Sequence, residues 1–203
     1  MTPSAPASDR AAVVVPVKAF TLAKARLAEV LSPAERANLA RSMATVVVQA
    51  AGELPVVVVC DDDEVRAWAE GLAVEVLWTP SLGLNGAVAA GVAHLAAAGF
   101  DRAIVAHADL PLATDLSVVL LPKGHRVVIV PDRHGDGTNV MRVPTGIGFE
   151  FAYGAGSCAA HRAEAERLEV AVLVQDDERL GWDVDRPEDL DLPTFDPEAA
   201  PCP

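Results

Sequence analysis

The chain has 203 residues, 51% hydrophobic and 22% charged, with a formal net charge of −13. That length and apolar content suit one domain with a sizeable core, while so negative a balance argues against nucleic-acid backbones and anionic membranes as partners, which it would repel at long range. The apolar runs are too short for a membrane span, residues 1–10 are polar and unlike a signal peptide, and the widely spaced Cys60, Cys158 and Cys202 read as reduced thiols, so the expected location is the cytoplasm.

Residues 11–17, Ala-Ala-Val-Val-Val-Pro-Val, form an apolar run suited to a strand buried on both faces, and residues 18–31 continue as a basic, irregular segment. Ser32-Pro33-Ala34-Glu35 then supplies a cap, a proline at the first helical position and a glutamate three residues after the cap, so a helix starts there and ends near Gly52. Strands follow at 56–60 and 74–78, with a helix between them capped by Asp61 or Asp62. An alanine-rich helix over 85–98 has side chains small enough to lie close to a sheet. A fourth strand at 101–106 delivers His107-Ala108-Asp109-Leu110-Pro111 at its carboxyl end.

Beyond a short helix near 114–121, strict alternation breaks down. A strand at 127–130, a glycine-rich turn over 131–138 and a further strand at 139–143 come next, then a helix capped by Ser157 and running to Leu168, and a strand at 170–174. The predicted fold class is therefore α/β: one domain at 11–192, with a mixed, mostly parallel sheet flanked by helices. Residues 1–10 are expected to be flexible and the proline- and acid-rich residues 193–203 a disordered tail.

Carboxylates at the carboxyl ends of buried strands lie where α/β proteins bind ligands, and two acidic sets converging there suggest a divalent cation holding phosphates. The first set is Asp109; the second is Asp183-Val184-Asp185, where extended backbone points both acids to one side. Glu188 and Asp189 read as helix-dipole partners. Lys18, Lys24 and Arg26 follow the first strand, where cations would balance a triphosphate and a leaving pyrophosphate. As exposed charges Lys24 and Arg26 should each contribute under about 1 kcal/mol to stability. Gly154-Ala155-Gly156-Ser157 ahead of a helix forms an anion site of backbone N–H groups and a hydroxyl, Thr138 adds another hydroxyl, and Asn85 suits a base, a ribose or a helix cap. A glycine-rich phosphate loop is missing after the first strand, against a kinase or a dehydrogenase.

Taken in order, Pro16-Val17-Lys18, Ala23 to Leu27, Gly83-Leu84-Asn85, Ala108 to Pro111, Asp132-Arg133 through Gly137-Thr138, Gly154 to Arg162 and Asp183 through Leu190 resemble the phosphoenolpyruvate/2-phospho-L-lactate guanylyltransferase family of coenzyme F(420) biosynthesis. The resemblance implies a Rossmann-like, GT-A-like nucleotidyltransferase fold and Mg²⁺-dependent transfer of GMP from GTP to a small phosphorylated carboxylic acid. It implies that Asp109, Asp183 and Asp185 hold Mg²⁺, that Lys18, Lys24 and Arg26 face the triphosphate, and that Thr138, Gly154 and Ser157 hold the phospho-acid, with Gly156 in the same amide cradle. Asp136, an acid inside the glycine turn, and Ala25, where a serine or threonine is common, depart from the pattern. A homodimer is compatible with the sequence. Competing readings are a nucleotidyltransferase for another acceptor, such as 3-phosphoglycerate or a cofactor or sugar phosphate, and a non-catalytic nucleotide-binding protein.

Overall fold

The computed structural model describes residues 10–121 and 127–193; residues 1–9 and 194–203, expected from the sequence to be flexible, and Cys202 lie outside the described residues. A seven-stranded sheet has the order β3-β2-β1-β4-β6-β5-β7, with β1 (Ala11–Pro16), β2 (Val56–Cys60), β3 (Glu75–Trp78), β4 (Arg102–Ala106), β5 (Val127–Pro131), β6 (Thr138–Pro144) and β7 (Val172–Val174). Only β6 runs antiparallel, pairing with β4 on one side and β5 on the other.

Side chains alternate along the buried strands between two cores, as a period of two dictates. Val13, Val15, Val58 and Ile104 face α1 (Pro33–Gln49) and α2 (Asp63–Gly71), while Val14, Val57, Val59 and Val105 face α3 (Gly83–Ala97) and α4 (Ser157–Arg167). The capping signals act as read: Ser32 and Glu35 form a reciprocal box, and Asp62 rather than Asp61 accepts the Val65 N–H at 3.0 Å. Gly91 explains how closely α3 approaches, since a Cβ there would lie 2.7 Å from Val14 Cγ1 and 2.9 Å from Val59 Cγ1.

Several expectations need correction. The helix near 114–121 is a 3₁₀ turn, Leu116–Leu120, capped by Asp115. Helix α3 starts at Gly83, which puts Asn85 inside its first turn instead of at its cap. At α4 the cap position belongs to Gly156, in a left-handed conformation (φ 71), and Ser157 is the first helical residue. Such a φ suits glycine, which has no Cβ to clash. Residues 18–31 contain two 3₁₀ turns, Phe20–Leu22 and Ala25–Leu27, so this segment is ordered locally without being a helix. No helix among the described residues is long and apolar enough to cross a membrane.

Candidate active site

The carboxyl ends of β1, β2 and β4 and the start of α3 open onto a cavity of about 600 Å³, whose lining includes Lys18, Phe20, Lys24, Leu84, His107 and Asp109. Lys24 sits between the two 3₁₀ turns with φ 55, a conformation that costs a non-glycine residue about 1 kcal/mol and that aims its side chain inward. Its ammonium donates to Asp109 Oδ2 at 2.6 Å and to Asp185 Oδ1 at 3.1 Å, and Arg26 donates to Asp185 Oδ2 at 3.0 Å. Lys24 is only 9% exposed at its side chain against 69% for Arg26, so the two cations expected to be alike are not.

Asp109, Asp183 and Asp185 each bring one oxygen within 4.8 Å of the others. Burial would raise the Asp109 carboxyl, but the Lys24 ammonium, with a smaller contribution from His107, outweighs it and holds the group below its ordinary value. Burial, then the negative charge of Asp109, pushes Asp183 the other way, upward. Three carboxylates face two cations, leaving one negative charge to be balanced. Asp109 Oδ1 is buried with no hydrogen-bond partner among the described residues. An all-oxygen set with a free acceptor and a charge deficit fits a hard divalent cation such as Mg²⁺.

A second layer of contacts holds these acids. The Asp109 carbonyl accepts the Val184 N–H at 3.2 Å, tying one acidic segment to the other. Asn139, buried in β6, accepts the His107 N–H on its carbonyl and donates its side-chain amide to Leu180 O at 3.0 Å and Asp183 Oδ1 at 3.4 Å. Asp189, read from the sequence as a dipole partner, is instead 3% exposed at its side chain and accepts the N–H groups of Asp185 and Arg186, each at 2.7 Å, while pairing with Arg133. Nothing in composition or spacing distinguished Asn139, Arg133 or Asp189, although Arg133 lies inside the glycine turn already singled out.

The other candidates gather across β6. Ala152 N–H donates to His161 Nε2 at 3.0 Å, so His161 Nδ1 carries the proton and donates to Thr138 Oγ1 at 3.1 Å. Thr138 thereby keeps its own hydroxyl proton to donate, although the residue is buried. Burial pushes His161 down to about 4, so it is neutral at pH 7. Asn85 Oδ1 accepts the Tyr153 N–H at 2.7 Å and anchors the loop before α4. The amide cradle there is already engaged: Gly156 N–H donates to Asp136 Oδ2 and Cys158 N–H to the Asp136 carbonyl, both at 3.0 Å, and Ser157 N–H donates to Gly154 O at 3.1 Å. Ser157 itself is buried, so the open anion site expected at Gly154, Gly156 and Ser157 is filled by the chain's own Asp136. Lys18 lines the cavity from the end of β1.

Residues 11–192 match the family described as "Guanylyl transferase CofC like". The chain belongs to this family. It is 38% identical over 188 residues to a phosphoenolpyruvate guanylyltransferase of Conexibacter woesei, covering 88% of this chain and 84% of that one. A 2-phospho-L-lactate guanylyltransferase of Methanocaldococcus jannaschii is 29% identical over 182 residues, covering 88% and 80%. Among solved structures, a nucleotidyl transferase from Methanothermobacter thermautotrophicus superposes with a TM-score of 0.64 at 18% identity, covering 90% of this chain and 94% of that one. A cytidylyltransferase from Leptospira borgpetersenii gives a TM-score of 0.59 at 13% identity, covering 89% and 83%. At those identities the two structures establish the nucleotidyltransferase fold, in agreement with the mixed α/β sheet expected.

Proposed function

We propose that this chain transfers GMP from GTP to phosphoenolpyruvate in coenzyme F(420) biosynthesis, releasing pyrophosphate, with Mg²⁺ held by Asp109, Asp183 and Asp185. The observation that carries the reading is the convergence of these three acids with Lys24 beside a cavity large enough for a nucleotide. Phosphoenolpyruvate is preferred to 2-phospho-L-lactate because three relatives that share 34% to 38% identity with this chain carry the former name, as does one at 29%, against 29% to 32% for relatives with the latter.

A phosphate monoester is ionised at neutral pH, so its oxygen attacks the α-phosphorus of GTP in line, forming the new P–O bond as the bond to pyrophosphate breaks. No general base is needed, and the task is positioning and charge neutralisation. When bound, the divalent cation supplies Lewis-acid stabilisation of the charge on the transferring phosphoryl group. Lys24 and Lys18 in the cavity lining, with Arg26 beside Asp185, add fixed positive charge where pyrophosphate charge would develop. Neutral His161 holds the Thr138 hydroxyl, and Asn85 fixes the loop carrying Gly154. Asp136 stands in for an anion at the α4 amides, so an acceptor taking Gly154, Gly156 and Ser157 as partners displaces it.

Pyrophosphate release measured with GTP, Mg²⁺ and a panel of phosphoenolpyruvate, 2-phospho-L-lactate and 3-phosphoglycerate tests this reading. Release with phosphoenolpyruvate above the others is expected. Release with none of the three overturns it, and release favouring another acid reassigns the acceptor. Omitting Mg²⁺ in the same assay should abolish the signal.

A further inference from the structure

We infer that Arg133 and Asp189 are positioning residues that set the placement of Asp183 and Asp185, and thereby cation affinity; this rests on the reading of the acid trio as a cation site. Residues 182–185 belong to no strand or helix, so their backbone is placed by the bonds it makes. Asp189 commits both carboxylate oxygens to that end: Oδ2 accepts the Asp185 and Arg186 N–H groups at 2.7 Å each, and Oδ1 pairs with the Arg133 guanidinium. Arg133 in turn donates to the Asp183 carbonyl at 3.1 Å and lies 4.4 Å from the centre of the Trp182 ring, whose N–H donates to Asp189 O at 3.2 Å. Both Asp189 oxygens are engaged and its side chain is buried, which separates its role from that of the acids it places.

The clamp is itself anchored. Arg133 N–H donates to Gly181 O at 2.8 Å, and Asp132 closes the glycine turn by accepting the His134 and Asp136 N–H groups on Oδ1 and Gly137 N–H on Oδ2. A Cβ at residue 137 would lie 2.7 Å from Asp132 Oδ2 and push on the carboxylate that closes the turn. A rigid turn therefore presents Arg133 to a segment that has no sheet beneath it. The buried Asp189 charge is offset by its ion-pair partner Arg133.

The test uses the full chain with Asp189→Asn, Arg133→Met and the conservative Arg133→Lys, each checked for folding by circular dichroism. Titration with Mn²⁺ should show the dissociation constant raised about tenfold or more in Asp189→Asn and Arg133→Met, the size expected for partners that orient ligands, with part of the loss recovered in Arg133→Lys. The Mg²⁺ concentration for half-maximal GMP transfer should rise in parallel while the KM for phosphoenolpyruvate stays put. In metal-free protein, amide hydrogen exchange at Asp185 and Arg186 should accelerate in Asp189→Asn while β4 keeps its protection. Mn²⁺ affinity unchanged in all three variants overturns the positioning role. A wild type that transfers GMP without binding Mn²⁺ overturns the cation reading instead, and unchanged exchange at Asp185 and Arg186 then overturns the clamp separately.

Discussion

Asp109 follows β4, whose every residue is buried between hydrogen-bonded neighbours, whereas Asp183 and Asp185 follow no strand at all. The first acid inherits its place from the sheet: His107 N–H still bonds across to Asn139 O, so the ladder reaches to within two residues of the carboxylate. The second pair is held by an ion pair, two N–H groups on one carboxylate, and single bonds from Asn139 and to Asp109 O. Sheet placement resists small changes in charge. Placement by side chains does not, so pH, salt and single substitutions should act on the second segment first.

The largest effect should come from the acid the sheet fixes. Asp109→Asn keeps the shape and one carbonyl acceptor for Lys24 but removes a ligand charge, so GMP transfer at saturating Mg²⁺ should fall at least about a hundredfold, roughly 3 kcal/mol in the barrier. Initial rates of pyrophosphate release measure it. Turnover near that of the wild type would leave Asp109 as a counter-ion of Lys24 only.

Both segments share β6 as a support through Asn139, and the residue before it, Thr138, is held by His161. Because His161 is depressed to about 4 from 6.5, the unfolded chain binds its proton first as pH falls. Its neutral form therefore costs nothing above pH 6.5. Stability should decline between pH 6.5 and 4 and level off below, by about 3 kcal/mol from this residue. Urea unfolding of the wild type and His161→Gln should show a flatter acid limb in the variant. Equal slopes would mean that His161 is not depressed in the folded chain.

The same division governs what the sequence made legible. Residues 11–106 obey βα alternation, and their strands and the caps of α1 and α2 could be read because each signal is local. Asp109 was legible for the same reason: it ends an apolar run. Asp183 and Asp185 were legible as a pair by their spacing, but what holds them was not, since the bond from Arg133 to Asp189 spans 56 residues and has no periodicity. The sequence read Gly154, Gly156 and Ser157 as an amide cluster at a helix start; the shift of the cap from Ser157 to Gly156 and the filling by Asp136, 20 residues earlier, were invisible for the same cause. Lys24 and Arg26 differ by two positions and looked alike; only the left-handed turn at Lys24 separates them.

That separation gives the finest test of the comparison, because one cation reaches both segments and the other touches only the second. Lys24 bridges Asp109 and Asp185 with 9% of its side chain exposed, so Lys24→Met should strand Asp109 without its partner and lower stability by about 2 kcal/mol, less than a fully buried pair because Asp185 is 45% exposed. Arg26→Met removes an exposed contact to Asp185 alone and should cost under about 1 kcal/mol. Both substitutions should lower kcat/KM for GTP if the side chains face the triphosphate. Thermal melts beside kinetics then distinguish the roles: a catalytic loss with a fall in melting temperature for Lys24, and a catalytic loss with almost none for Arg26. Melting temperatures that match between the variants would mean that the bridge to Asp109 adds nothing to the folded state, and the link between the sheet-fixed and the clamped acids would then rest on the bond from Val184 N–H to Asp109 O.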